Sequence, residues 1–373
     1  MGRIDDYVTS FPKRRTRETY KSHLKNYFKF LDVDSEKYFS PDRDYIADLL
    51  RYWDSQQKYA PCTRVSRRSC ILGFLEDNDV NIPSKIVKRM RRSQGGSKPV
   101  TLDTIPKNSE LKQILQHGGV MGRALFLFAS SSGMRINEVL SLEFSDIDLE
   151  RQPARIYIRA ETTKTNQPRI CFITDEAKNV LMEWIKIREK WLENAVKRHK
   201  KATKKFVAKN NNDKTIFCFA YTTAHKIWKK MLKDSGFDEK DRSSGYFRMH
   251  IHTLRKFFKT RMLNAGVQEA YINKIMGHES LDSSYLRFTE HELEDAYLQG
   301  AESLTVFESQ ADLSEINERL LEKDEEIASL NAQIQDIHST LSSLGESSAV
   351  DLDKLKNLSK QDIEKILKKY DSL

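Results

Sequence analysis

The chain has 373 residues, 31% of them charged, and a formal net charge of +9, enough length for two compact domains with further segments. Residues 1–95 hold 20 lysines and arginines against 13 acidic residues and residues 96–308 hold 35 against 27, whereas residues 309–373 hold 8 against 14, so two basic blocks that suit a polyanion precede an acidic end. Cys62, Cys70, Cys171 and Cys218 lack the spacing of a zinc site or disulfide framework, and no apolar run approaches the ~18 residues of a membrane span, so a soluble, intracellular protein with reduced thiols is expected.

Residues 1–95 read as a helical domain. From Thr16 to Leu31, Tyr20, Leu24, Tyr27, Phe28 and Leu31 recur at three- and four-residue steps, with Arg14, Arg15, Arg17, Lys21, Lys25 and Lys29 on the remaining face. Further helices are expected over 42–57, after Ser40-Pro41; over 61–78, with Arg64, Arg67 and Arg68 outward; and over 84–92, which is strongly basic. An apolar stripe opposite a basic face suits a bundle lying along phosphates, and equally a bundle with solvated cations. Small, polar, helix-breaking residues from Ser93 to Pro99 mark a break, and residues 96–108 are assigned as linker.

A second domain, residues 109–307, reads as mostly helical around a β insertion. A helix is expected from Ser109, and Val120 to Ser131 is apolar enough to be a buried one. Ala154 to Arg159 and Arg169 to Ile173 alternate about the polar turn Thr165-Asn166-Gln167-Pro168, which predicts a β-hairpin with a third short strand. Helical periodicity resumes from Asp175 to Lys190. The lysine-rich stretch 197–214 fits a loop over nucleic acid or a mobile insertion. From Leu313 to Leu344 apolar residues alternate steps of three and four, interrupted by Lys323, which predicts a coiled coil over 308–344; a helix folded back on its own domain would show a similar stripe. A short helical tail over 351–373 follows. The fold class is therefore mostly α with a small β-sheet, a helical N-terminal domain, a second domain carrying the chemistry and a C-terminal coiled coil.

The polar residues of the second domain form a set suited to one phosphate diester. Gly133 permits a tight turn that delivers Arg135 at a helix start, with Glu138 three residues on. Arginine binds two phosphate oxygens with one planar fork and keeps its charge. Lys164 lies in the hairpin turn. His252 and Arg255 share one helical face through their three-residue step. His250 is offset from that face. His278 follows Gly277 at a helix end, and Tyr285 stands seven residues later, with Tyr297 as a second phenol. Neither a metal-ligand cluster nor a G-x-x-x-x-G-K loop accompanies them, so no metal and no cofactor is expected.

Residues 131–148 around Arg135, 162–169 around Lys164, 249–260 with His252-Thr253-Leu254-Arg255, 277–278, and the Tyr285-Leu286-Arg287-Phe288-Thr289-Glu290 segment resemble the tyrosine recombinases, or integrase family, most of all its archaeal, archaeal-virus and plasmid branch. Lys256 stands where the family commonly has His, and Met276 where Leu is common. The resemblance implies a core-binding domain over 1–95 and a catalytic domain over 109–307. It also implies strand exchange through a 3′-phosphotyrosyl intermediate without metal or ATP. Arg135 and Arg255 would grip the phosphate, His252 assist proton transfer, Lys164 protonate the leaving 5′ oxygen, His278 bond a phosphoryl oxygen and Tyr285 attack. Expected partners are a double-stranded DNA recombination site and further copies of the chain, as a tetramer aided by the coiled coil. A mobile-element integrase is the expectation; a type IB topoisomerase-like activity or a non-catalytic DNA-binding accessory protein are the other readings.

Overall fold

The structure is a computed structural model that describes residues 2–94, 101–200, 212–242, 244–278, 287–307, 323, 325–330 and 332–333. The described residues divide into two compact units, one from Met1–Leu102 with Lys240–Arg248, the other from Asp103–Glu239 with Met249–Leu373. Among the described residues, no helix is long and apolar enough to cross a membrane, and the four cysteines are free thiols.

The first unit holds α1 (Arg3–Thr9), α2 (Arg14–Leu31), α3 (Tyr45–Ser55), α4 (Pro61–Glu76) and α5 (Ser84–Arg92). The stripe on α2 is buried through Leu24, Tyr27, Phe28 and Leu31, while Arg14, Arg15, Lys25 and Lys29 are exposed. Aromatic rings fill the centre: Tyr27 meets Tyr52 edge-on at 5.0 Å, and its hydroxyl lies 2.8 Å from that of Tyr38. Helix ends follow local chemistry. Asp44 caps α3 by accepting from the amides of Ile46 and Ala47, and Pro61 opens α4, where no amide partner is needed.

The expected orientation of the α4 arginines is corrected. Arg64 and Arg68 point inward and are buried, not outward. Arg64 donates to the Ser93 carbonyl at 3.1 Å and to Gln57 and the Gln94 carbonyl, and Arg68 donates to the Gln94 side chain. Arg67 donates to the Gln56 side chain and lies over the Tyr59 ring at 4.0 Å. Buried guanidinium groups require such acceptors; here they fasten α4 to the end of α5.

The second unit contains α6 (Asn108–Gln116), α7 (Gly119–Ser132), α8 (Ile136–Leu140), α9 (Asp175–Lys200), α10 (Tyr221–Asp234), α11 (Ile251–Asn264), α12 (Glu269–Met276) and α13 (Glu290–Ala301), with strands β1 (Ile147–Asp148), β2 (Ala154–Ile158) and β3 (Arg169–Ile173). α7 is the central post: every residue from Gly122 to Ser132 is buried, and α6, α9, α11 and β3 pack around it. The strands form an antiparallel sheet in the order β1-β2-β3. Alternation puts Ala154, Ile156 and Ile158 in the core and leaves Tyr157 exposed. Pairing of Ile158 with Arg169 sets the latter at the mouth of the hairpin loop.

After α13 the chain turns through Glu302–Leu304 into a strap, Thr305 to Phe307, whose Val306 and Phe307 are buried. Both Glu176 oxygens accept from it, from the amides of Phe307 at 2.8 Å and Val306 at 3.0 Å, while Asn108 donates to the Thr305 carbonyl at 2.7 Å. Most of the expected coiled coil and the whole of 351–373 lie outside the described residues. Residues 323, 325–330 and 332–333 are helical and exposed.

Candidate active site

Three helix ends meet at the site. α7 stops at Gly133, whose φ of +62° is the left-handed conformation that other residues enter only with strain. A Cβ there would fall 2.4 Å from Cδ1 of Phe258, so the turn also lacks room for a side chain. The sharp stop delivers Arg135 as the cap of α8, in extended conformation. Its amide donates to Glu138 Oε2 at 2.9 Å, its Nη1 to Glu138 Oε1 at 3.0 Å and its Nη2 to the Gly277 carbonyl at 3.4 Å. The Arg135 side chain remains 27% exposed, whereas Glu138 is only 2% exposed.

Arg255, on the second turn of α11, is buried. Its Nη2 donates to the Met276 carbonyl at 2.6 Å and its Nη1 to the Gly133 carbonyl, so it ties the turn before Arg135 to the end of α12. Burial, then the charge of Arg135, pulls its pKa down to about 9, which leaves it a cation at neutral pH. His252 is an exposed residue one turn earlier; partial burial, then Arg255, lowers its pKa. α12 closes with Gly277 at φ +67°, and the amide of His278 donates to the Asn273 carbonyl at 2.8 Å. This is the double closure of a glycine-ended helix, and it places His278 beside both arginines. Partial burial, then Arg255 and Arg135, pulls the His278 pKa down to about 4, so its imidazole is neutral at pH 7.

Arg135, His252, Arg255 and His278 thus form one cluster. Lys164 is exposed on the adjoining loop, which closes on the buried Thr163: the hydroxyl donates to the Ala160 carbonyl at 2.8 Å and accepts from the Gln167 amide at 3.1 Å. Tyr285 lies outside the described residues. Tyr297 is core: fully buried, it donates to the Ser131 carbonyl at 3.0 Å, its ring packs near Phe172 and Phe258, and burial raises its pKa far above the phenol range. His250 points elsewhere, to Asp103 at 3.1 Å, an aspartate that Lys256 also engages.

Two residues of this neighbourhood escape sequence reasoning. Asp103 carries no local signal. Arg169 does carry one, a lone cation opening an apolar strand, but its meaning depends on Glu138. Arg169 donates Nη2 to Glu138 Oε2 at 2.6 Å and Nε to the Ile275 carbonyl at 3.0 Å, and its side chain is only 6% exposed. Burial tends to raise the pKa of Glu138, but Arg169 and Arg135 together outweigh it and hold the carboxyl below its ordinary value. Among the described residues there is no cluster of three or more acidic, His or Cys side chains able to hold a metal ion.

The arrangement therefore brings together two guanidinium groups, one neutral imidazole at a helix end and a second imidazole one turn of α11 from Arg255. Comparison with known proteins shows the family. The model of the phage integrase family matches residues 105–294. The chain is 29% identical over 298 residues to a protein named tyrosine recombinase XerA from Saccharolobus solfataricus, covering 77% of this chain and 87% of that one. It is 25% identical over 312 residues to tyrosine recombinase XerC from Thermodesulfovibrio yellowstonii, covering 77% and 92%. Its fold matches that of a lambda integrase tetramer bound to a Holliday junction, with a TM-score of 0.52 at 15% identity over 77% of each chain.

Proposed function

The chain belongs to the phage integrase family and is a site-specific tyrosine recombinase, and from that premise we propose how its residues divide the reaction. The Tyr285 phenol oxygen attacks the phosphorus of a DNA diester. A P–O bond to Tyr285 forms as the bond to the 5′ oxygen breaks. The phenol proton passes to His252, and Lys164 supplies a proton to the departing oxygen. The products are a 3′-phosphotyrosyl link and a free 5′ hydroxyl, and a second strand's 5′ hydroxyl reverses the step. Arg135, Arg255 and His278 stabilise the extra negative charge on the five-coordinate phosphorus. The step balances without a metal ion or a nucleotide.

The observation that carries this reading is the convergence of Arg135, Arg255 and His278 through the Gly133 and Met276–Gly277 carbonyls. The exposed basic face of α2 supports a duplex as the ligand of the N-terminal block, by charge neutralisation along phosphates. We further propose that the chain acts as a mobile-element integrase and assembles as a tetramer on DNA, with residues 308–344 self-associating.

A duplex nicked just downstream of the cleavage site, which loses the short fragment bearing the new 5′ hydroxyl, traps the covalent adduct, and peptide mapping finds the modified residue. Wild type and Tyr297→Phe are expected to capture DNA on Tyr285, and Tyr285→Phe to capture none. Undiminished capture by Tyr285→Phe overturns the assignment.

A further inference from the structure

The last three carbonyls at the C-terminal end of α12 are each engaged by a different arginine. Arg169 Nε donates to Ile275 at 3.0 Å, Arg255 Nη2 to Met276 at 2.6 Å and Arg135 Nη2 to Gly277 at 3.4 Å. These are carbonyls that a helix leaves without intrahelical partners, at its negative pole, where cations are favoured. His278 is the next residue. Two of these arginines have roles in the proposed chemistry; Arg169 has none, and its three nitrogens are already engaged, Nε by the Ile275 carbonyl and both Nη atoms by the Glu138 carboxylate.

Its other contacts indicate what it does. Glu138, buried in the site, uses Oε1 to accept from Arg135 Nη1 at 3.0 Å and Arg169 Nη1 at 3.3 Å, and Oε2 to accept from the Arg135 amide at 2.9 Å and Arg169 Nη2 at 2.6 Å. One carboxylate thus serves Arg135 and Arg169 together. Gly277 is moulded around the same guanidinium: a Cβ at Gly277 would lie 2.9 Å from Cδ, Nε and Cζ of Arg169. Arg169 also opens β3, directly after the loop that carries Lys164.

Building on the recombinase reading, we propose that Arg169 is a positioning residue, which holds Arg135 through Glu138 and the Gly277-His278 turn through Ile275, so that both address one phosphate. Lysine cannot replace it: an ammonium pairs with Glu138 as a point charge but cannot fork to both carboxylate oxygens while reaching a third acceptor.

The test uses the full chain and the nicked duplex, with Arg169→Lys and Arg169→Met. Single-turnover covalent capture is expected to fall about tenfold in the lysine variant and about a hundredfold in the methionine variant, the scale of a misplacement of about 1 Å. Duplex affinity should stay within about threefold, because the Arg169 donors are all held by acceptors within the protein. The pH profile supplies a readout that general loosening would not move. In Arg169→Met, Glu138 stays buried and faces Arg135 on its own element, Arg255 from α11 and the Cys171 thiol from β3, which burial holds neutral with a pKa of about 12. Its carboxyl then takes up a proton at higher pH, so capture is lost on acidification about one pH unit or more earlier than in wild type. Glu138→Gln combined with Arg169→Met, whose neutral amide stands for the protonated carboxyl, should remove that acid limb and hold capture, at every pH, near the low level that Arg169→Met reaches in acid. If Arg169→Met melts at the assay temperature, the lysine variant decides: folded and slow supports the role, folded and fully active overturns it. Capture at the wild-type rate, or affinity falling in step with capture, also overturns it. A wild-type chain that captures no duplex overturns the recombinase reading and this role with it, whereas active wild type with unimpaired variants overturns this role alone.

Discussion

Glu176 is expected to make stability depend on pH through its hold on the strap. Its carboxyl sits at the start of α9, buried, accepting from the amides of Val306 and Phe307. Burial pushes its pKa from the ordinary 4.5 up to about 7, against the lowering effect of those two amides and of Lys112. A carboxyl raised on folding binds its proton more tightly in the folded state. Its stabilising contribution is therefore complete below about pH 4.5 and fades as pH rises through about 7. The gap between the two values corresponds to on the order of 3 kcal/mol between mildly acidic and alkaline solution. Urea unfolding of wild type and Glu176→Gln, from about pH 5 to about pH 8, measures it. The glutamine keeps one acceptor oxygen and turns an amide group toward the other N–H, costing about 1–3 kcal/mol. That loss is uniform in pH at this site. Wild type should lose stability toward high pH relative to the variant, with hydrogen exchange at Val306 and Phe307 rising in parallel. Parallel pH curves for the two proteins would refute the reasoning.

Two further outcomes follow from the central post. Tyr297→Phe removes the hydroxyl that serves the Ser131 carbonyl and should cost about 1–2 kcal/mol in denaturant unfolding, while covalent capture stays within about threefold of wild type; a complete loss of capture by a folded variant would contradict the core role of this ring. Gly133→Ala adds a methyl 2.4 Å from Phe258 in a left-handed turn, and is expected to cost more than about 2 kcal/mol in thermal unfolding and to slow capture as well, since the same turn sets Arg135 and receives Arg255; unchanged melting would show that the turn relaxes freely.

The helices and the hairpin were legible because burial imposes a period. The stripe expected over Thr16 to Leu31 appears as α2, Ser84–Arg92 is helical as read, and the expected third strand is β1. Three features were not legible. α1 spans only Arg3–Thr9, too short to show a face. α9 continues to Lys200, beyond the expected Lys190, because Leu192, Ala195 and Val196 still bury their side chains. The inward turn of Arg64 and Arg68 depends largely on acceptors at Ser93 and Gln94, 26 to 30 positions away in sequence. The same limit applies at the site. The residue types of the clamp could be read from Arg135, His252, Arg255 and His278, since their chemistry is local. The bond from Arg169 to Glu138 crosses 31 positions and exists only once β3 lies beside α8.

The acceptors at the end of α12 belong to the main chain, and this has a consequence for inheritance. A point substitution cannot delete a carbonyl. The identities of Ile275 and Met276 are therefore answerable only to the core they fill, and another apolar side chain at either position would leave unchanged what the arginines find. Gly277 has no such freedom, because there the backbone angle and the guanidinium beside it both forbid a substituent. Within three consecutive positions, the backbone tolerates exchange at two and refuses it at the third.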